Sequence, residues 1–78
     1  MSIKWGLLWY DEEGTLDEKV QRAIDRYSTK FGVMPNACFV HPSEFGEGEK
    51  AEADIDGCKV VANPTVLEHH FWIGESIK

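Results

Sequence analysis

Residues 15–35, which read TLDEKVQRAIDRYSTKFGVMP, predict one amphipathic helix and both of its ends. Thr15 and Glu18 have the spacing of a capping box, in which each side chain binds the backbone amide of the other residue. Apolar side chains follow at intervals of three and four, which places them on one helix face: Leu16, Val20, Ala23, Ile24, Tyr27 and Phe31. Gly32 suits a left-handed C-cap, and Pro35 prevents the helix from continuing.

Segments on either side of this helix have the alternating pattern of β-strands. Residues 2–10 place Ile3, Trp5, Leu7 and Trp9 on one side, and we expect this set to face the core. The other predicted strands are 36–41, 50–55, 58–63 and 68–73, with Asp56-Gly57 as a hairpin turn and Gly74 after the last strand. Because a strand, the helix and a strand follow one another with short joints, the first two strands are expected to be parallel.

The expected fold class is α+β and two-layer, with one helix packed on a mostly antiparallel sheet of about five strands in the order β-α-β-β-β-β. We expect residues 1–78 to form a single small domain with an acidic loop around residues 43–50. Successive strand side chains alternate between faces, so the helix is expected to meet Trp5, Trp9, Phe71 and Ile73. The opposite, open face then carries a predicted interaction surface: Leu8, Tyr10, Val61 and Trp72.

The composition indicates a folded, acidic domain. Of the 78 residues, 42% are hydrophobic and 12% are aromatic, which excludes a chain that stays disordered for lack of apolar surface. The formal net charge is −6, and most of it comes from residues 44–56, which hold six acids and one lysine. Direct binding to nucleic acid is disfavoured, because that affinity comes from Lys and Arg at phosphates.

The acidic segment has two interpretations. The first is a solvated loop that keeps the domain soluble, which is the common role of a run of like charges. In the second, the chain is an inhibitor that occupies the basic groove of a nucleic-acid-binding protein. The acidic contact surface would then consist of Glu44, Glu47, Glu49 and Glu52.

Five side chains are of types that bind metals or act as nucleophile and base: Cys38, His41, Cys58, His69 and His70. Their spacing matches no zinc module, and residues such as His69 and His70 point to opposite faces of a strand. The sequence also has no phosphate-binding glycine loop and no nucleophile elbow. We therefore expect no metal, no cofactor and no catalytic residues, and a small cysteine/histidine enzyme is the least favoured alternative.

Cysteine usage and the apolar runs predict a location. Two cysteines are too few for a disulfide-stapled secreted domain, and no segment has the pattern of a signal peptide. The longest apolar runs, such as residues 5–10, are much shorter than the roughly 20 residues that cross a bilayer. We expect a cytoplasmic protein with reduced thiols and no membrane partner.

Four short motifs are spread over most of the chain: Lys30-Phe31-Gly32-x-x-Pro35, His41-Pro42, Asp56-Gly57-x-x-Val60 and Phe71-Trp72-Ile73-Gly74. Together they resemble the pattern of small uncharacterised bacterial proteins that are often associated with prophages or other mobile elements. The motifs consist of turn glycines, prolines and core aromatics. The resemblance therefore implies a fold and carries no activity.

The leading functional prediction is a small non-enzymatic protein-interaction module. It binds itself or another protein through the open sheet face or a sheet edge, because an uncovered aromatic face is common at association surfaces. A two-fold homodimer would cover that face by self-complementarity. The acidic inhibitor is the second prediction.

Overall fold

A computed structural model describes residues 2–45 and 52–77. Its elements in chain order are β1 (Ser2–Tyr10), α1 (Leu16–Phe31), β2 (Ala37–Val40), a 3-10 turn (Pro42–Glu44), β3 (Glu52–Ile55), β4 (Cys58–Ala62) and β5 (His70–Ile77). One helix lies on a five-stranded, mixed but mostly antiparallel sheet, which confirms the predicted α+β class and element order.

Helix α1 begins and ends where the sequence predicts. The Thr15 hydroxyl accepts a hydrogen bond from the Glu18 amide at 3.2 Å, and the Thr15 amide donates to the Glu18 carboxylate at 2.9 Å. Gly32 has a φ of 75°, the left-handed conformation expected of a glycine C-cap. In the two described ranges, no helix is long and apolar enough to cross a bilayer.

An ion pair joins the end of β1 to the helix. The Arg22 Nε donates to Asp11 Oδ2 at 2.6 Å, and the same guanidinium also binds the Glu13 carbonyl. The Arg22 guanidinium lowers the pKa of Asp11 below its usual range, because it stabilises the ionised carboxylate. The turn between β1 and α1 is thereby tied to the helix at its first turns.

The strand order is β1-β5-β2-β4-β3. Strand β5 is antiparallel to both β1 and β2, so these two strands are parallel, as predicted, but β5 separates them. Strands β2 and β4 are a parallel pair, and β3 and β4 form the predicted antiparallel hairpin. The last strand of the chain is therefore in the interior of the sheet, and the first is at an edge.

Strand β5 does not stop before Gly74, so the predicted end of this strand was wrong. It continues to Ile77, and Gly74 is a buried residue opposite Gly6 of β1 and Ala37 of β2. Three small residues thus lie side by side across three strands. Gly74 therefore lies inside a strand and does not end it.

The core lies between the apolar face of α1 and one face of the sheet. From the helix it includes Val20, Ala23, Ile24 and Tyr27, and from the sheet Cys38, Val40, Ile55, Cys58, Val60, Phe71 and Ile73. Leu7 and Trp9 pack against this cluster as predicted, and the side chain of Trp5 lies outside the described part of the structure. The Tyr27 hydroxyl donates to Glu75 Oε1 at 3.2 Å, which places Glu75 on the helix side.

Ile3 does not share the core side with Leu7. The register between β1 and β5 shifts between Ile3 and Trp5, so Ile3 pairs with Ser76 and lines the open face instead. A β-bulge adds one residue to a strand and so reverses the faces that the preceding residues occupy. This irregularity explains why simple alternation placed Ile3 wrongly.

The capping box predicts the effect of Thr15→Ala. Loss of the hydroxyl leaves the Glu18 amide without its partner, so the free energy of unfolding should fall by about 1 kcal/mol. Thr29→Ala is the matched control, because Thr29 is exposed and lies inside the helix, away from both caps. Urea denaturation of the two variants tests this, and an equal change in both would contradict the role given to Thr15.

Candidate interaction surface

Apolar side chains form a row across the open face of the sheet. Leu8 of β1 is opposite Trp72 of β5, Trp72 is opposite Phe39 of β2, and Phe39 is opposite Val61 of β4. Glu52 of β3 ends the row opposite Val61. Directly opposed strand residues contact one another, so the four apolar residues form one continuous strip. We call this set, Leu8, Trp72, Phe39 and Val61, the apolar row.

A hollow of about 500 Å³ lies over part of this row. Its apolar lining consists of Ile3, Leu8, Phe39, Val66, Leu67 and Trp72. The segment from 63 to 67 forms one wall. Such a volume falls within the range of about 300–1,000 Å³ that is typical of ligand pockets, although this hollow is an open groove.

Hydrogen bonds around Asn63 hold the wall in place. The Asn63 side-chain oxygen accepts from the Thr65 amide at 3.0 Å and from the Thr65 hydroxyl at 2.7 Å. The Asn63 carbonyl accepts from the Val66 amide at 3.0 Å, and the Asn63 amide donates to Val40 of the sheet at 2.7 Å. These contacts fix a tight turn beside the sheet, as asparagine side chains commonly do.

Trp72 is half-buried because its indole lies over Gly6. A Cβ atom added at Gly6 would lie 2.6 Å from Trp72 Cζ2, which is too close for two carbon atoms. The missing side chain of Gly6 therefore makes room for the indole. Trp72 forms the floor of the hollow, and it is not enclosed in the core.

The rim of the hollow is exposed and apolar. Leu8 is 61% exposed and Leu67 is 69% exposed. Tyr10 is 54% exposed at the end of the face, where its ring packs edge-on against His70 with 5.1 Å between centroids. Its hydroxyl donates to the Glu12 carboxylate at 2.8 Å.

The structure thus brings together three of the predicted interface residues, Leu8, Val61 and Trp72, in one row, with Tyr10 at the end of the same face. Sequence analysis missed Phe39 and Leu67. Cys38 and Val40 are buried, and Phe39 lies between them in the strand, so alternation places Phe39 on the open face. Leu67 lies outside any strand, so no periodicity indicates its position.

The predicted acidic contact surface needs a correction. The Glu44 side chain is only 5% exposed and accepts a hydrogen bond from Lys19 Nζ at 2.9 Å, so it is not available on the surface. Lys19, which is not one of the apolar residues of the helix stripe, is buried with it. Glu52 is exposed and lies 3.5 Å from Lys59 Nζ, while Glu47 and Glu49 lie outside the described residues.

The two thiols are in the core. Burial raises the pKa of Cys58 to about 12, and burial also raises the pKa of Cys38 above its ordinary value. The reactive form of cysteine is the thiolate, so both thiols are kept in their unreactive form. Cys38 and Cys58 are free, with no disulfide between them.

The histidines have local roles in the backbone. The Ser43 amide donates to His41 Nδ1 at 3.0 Å, which caps the 3-10 turn, and His70 Nδ1 donates to the Glu68 carbonyl at 2.9 Å. The third histidine, His69, lies with its Nδ1 3.9 Å from Glu44 Oε2. Over residues 2–45 and 52–77, no three side chains of metal-binding type come together.

Comparisons with protein-family models, with curated proteins and with solved structures found no match to this chain. The resemblance to small bacterial proteins of mobile elements therefore stays a prediction. Function has to be inferred from the surface itself, because a fold of this kind supports many functions.

The buried ion pair predicts that Lys19→Met strongly destabilises the protein. Removing the ammonium takes the lysine hydrogen bond from the buried Glu44 carboxylate, and His69 Nδ1 at 3.9 Å is too far to replace it, so the free energy of unfolding should fall by about 3 kcal/mol. The matched control is Lys59→Met, which breaks an exposed pair and should cost less than about 1 kcal/mol. Urea denaturation measures both losses of unfolding free energy. Equal losses would contradict the large contribution predicted for the Lys19–Glu44 pair.

The buried thiols predict a loss of stability in alkali. Above about pH 9 the unfolded chain loses the Cys58 proton while the folded chain keeps it, so stability falls as pH rises toward the folded pKa of about 12. Between pH 8 and 10, Cys58→Ala should remove roughly 1 to 2 kcal/mol of this loss. Val61→Ala, in the same strand but without a thiol, should keep the full pH dependence. Urea denaturation at pH 8 and at pH 10 measures the loss of unfolding free energy for each variant. An equal loss in the two variants would refute the prediction.

Proposed function

We propose that this chain is a small non-enzymatic protein-interaction module whose open sheet face binds apolar side chains of a protein partner. The observation that carries the proposal is the apolar row with its hollow of about 500 Å³ and its exposed rim. Among residues 2–45 and 52–77, the single helix leaves this face without a second layer. Exposed apolar patches rimmed by polar groups are typical of protein-interaction sites.

The layout of the hollow favours a protein as the ligand. Its floor is aromatic and its rim carries two exposed leucines, Leu8 and Leu67, which suit contact with other apolar side chains. Asn63, Thr65 and His70 add polar groups to the lining and provide hydrogen-bonding positions at the edge of the patch. A hollow open along one side accepts a protruding residue from a partner surface, whereas small-molecule sites bury most of the ligand.

The alternatives have less support. For an enzyme that uses cysteine and histidine, the raised pKa values and burial of Cys38 and Cys58 are unfavourable, because such a nucleophile needs a lowered pKa and access. For the acidic inhibitor, the withdrawal of Glu44 into a buried ion pair removes one of the four proposed contacts. The free thiols support a reducing compartment, and we propose the cytoplasm.

The proposal can be tested with peptides selected on the immobilised protein from a random library. Selected peptides should contain an apolar anchor residue, and Leu67→Lys should weaken their binding at least tenfold, because it places a charge on the rim of an apolar hollow. Met34→Lys is the matched control: Met34 is a similarly exposed apolar residue that does not line the hollow. Fluorescence anisotropy measures the affinities. Peptides that bind Leu67→Lys as tightly as the unchanged protein, or a selection that yields no binder, would overturn the proposal.

A further inference from the structure

In the described part of the sheet, the two edge strands differ in their protection. Strand β3 has four residues, and two of them, Glu52 and Asp54, carry charge. Strand β1 has nine residues, and its stretch 6–10 has no charge, no proline and no register shift. Proteins normally protect edge strands with short length, charges, proline or bulges, because an open edge pairs readily with another strand. The 6–10 stretch of β1 has none of these protections.

One hydrogen bond shows which backbone groups of β1 face outward. The Asp11 amide donates to the His69 carbonyl at 2.9 Å, so residue 11 is bonded toward β5. Along an antiparallel ladder the residues bonded to the neighbour alternate, which directs Leu7 and Trp9 toward β5 as well. The amides and carbonyls of Gly6, Leu8 and Tyr10 consequently point away from β5, along the free edge. Their side-chain positions are all on the open face.

We propose that β1 pairs with β1 of a second copy of this chain, antiparallel and about a two-fold axis at Leu8. In this arrangement Leu8 is opposite Leu8, and Gly6 of each copy is opposite Tyr10 of the other. The inference rests on the proposed function, because it names a second copy as one protein partner. The two sheets join into one continuous sheet of ten strands.

The register follows from the shape of the strand. An axis at Leu8 pairs all five residues of the regular stretch 6–10 with one another, whereas an axis at Gly6 or Tyr10 leaves part of the stretch unpaired. The register shift between Ile3 and Trp5 ends the regular edge on one side. On the other side the strand ends at Tyr10.

Charge favours a second copy in the antiparallel direction. The only charged residue of β1 is Lys4, and two exposed acids, Glu12 and Glu13, follow Asp11, whose carboxylate is paired with Arg22. Antiparallel pairing brings the Lys4 end of one copy beside the acidic end of the other, and parallel pairing would bring like ends together. Opposite charges across paired strands stabilise the pairing, and like charges destabilise it.

The pairing also extends the open face. Opposite residues of an antiparallel pair lie on the same face, so the two apolar rows meet at Leu8 and form one strip across both sheets. Tyr10 of the second copy comes beside Gly6, where the Trp72 indole fills the space above the backbone. The Tyr10 ring is thereby placed beside the Trp72 indole, and aromatic side chains on neighbouring strands stabilise a strand pair.

Disulfide trapping tests the contact at Leu8. Opposed bonded residues in an antiparallel pair have Cα atoms about 5.5 Å apart, which is within the range that a disulfide spans. Leu8→Cys should therefore form a covalent dimer on mild oxidation, and the native thiols, which are buried, should not compete. Leu67→Cys is the matched control, since Leu67 is similarly exposed and lines the same hollow but belongs to no strand. Cross-linking of Leu8→Cys no faster than that of Leu67→Cys would overturn the proposal.

A charge exchange at the same position tests the symmetry. Leu8→Lys and Leu8→Glu each place like charges at the axis, so each variant alone should show at least a tenfold weaker dimer in sedimentation equilibrium. An equimolar mixture should restore the dimer as a mixed pair. A mixture that remains monomeric, or an unchanged protein that is a monomer at every concentration, would reject this pairing. Leu67 lines the hollow but belongs to no strand, so Leu67→Lys should weaken peptide binding and leave the dimer intact, which separates failure of the dimer from failure of the proposed function.

Discussion

The structure depends on one constraint: a single helix can cover only one face of a five-stranded sheet. The apolar residues of α1 are arranged on one side, and they meet the sheet residues that alternate toward them, such as Val60, Phe71 and Ile73. The intervening residues of the same strands have to face the other way. Whether those residues are polar or apolar is then decided by the sequence alone, and in the central strands they are Phe39, Val61 and Trp72. The open face is apolar because the sequence has apolar residues at these positions. Packing of the sheet against the helix does not require them there.

Small residues decide the shape of that face. Gly6, Gly74 and Ala37 are neighbours across three strands, which leaves a shallow region beside the apolar row. The Trp72 indole lies over the backbone of Gly6 and is half-buried there. The turn at Asn63 then raises a wall beside the sheet. A groove results from these two features, where a sheet with larger residues would present a flat surface.

Features encoded by neighbouring residues could be predicted from the sequence, and features that join distant segments could not. The Thr15–Glu18 capping box, the Gly32 cap and the Asp56-Gly57 hairpin each need only a few adjacent residues, and the structure has all three. The insertion of β5 between β1 and β2 depends on which strand pairs best after collapse, and no local pattern records it. The burial of Glu44 has the same cause, because its partner Lys19 is 25 residues away. At the candidate surface, alternation correctly placed Leu8, Val61 and Trp72 on one face. It placed Ile3 on the wrong face because of the register shift in β1. Leu67 lies in a loop, where no periodic pattern indicates its position.

The composition of strand β1 does not match its position at the edge of the sheet. Strands with apolar residues on both faces are usually central strands of a sheet. A central strand is paired with a neighbour along both of its edges. Strand β1 has this character: Leu7 and Trp9 pack toward the helix, and Leu8 and Tyr10 lie on the open face. Yet it is at an edge, because β5 occupies the interior position. The other edge strand, β3, is short and charged, which is the composition that suits an edge. Only one of the two edges of the sheet therefore has a strand of this composition. A strand with the sequence of an interior strand becomes interior when a second strand pairs with it, and in an antiparallel self-pairing both copies gain that environment at once.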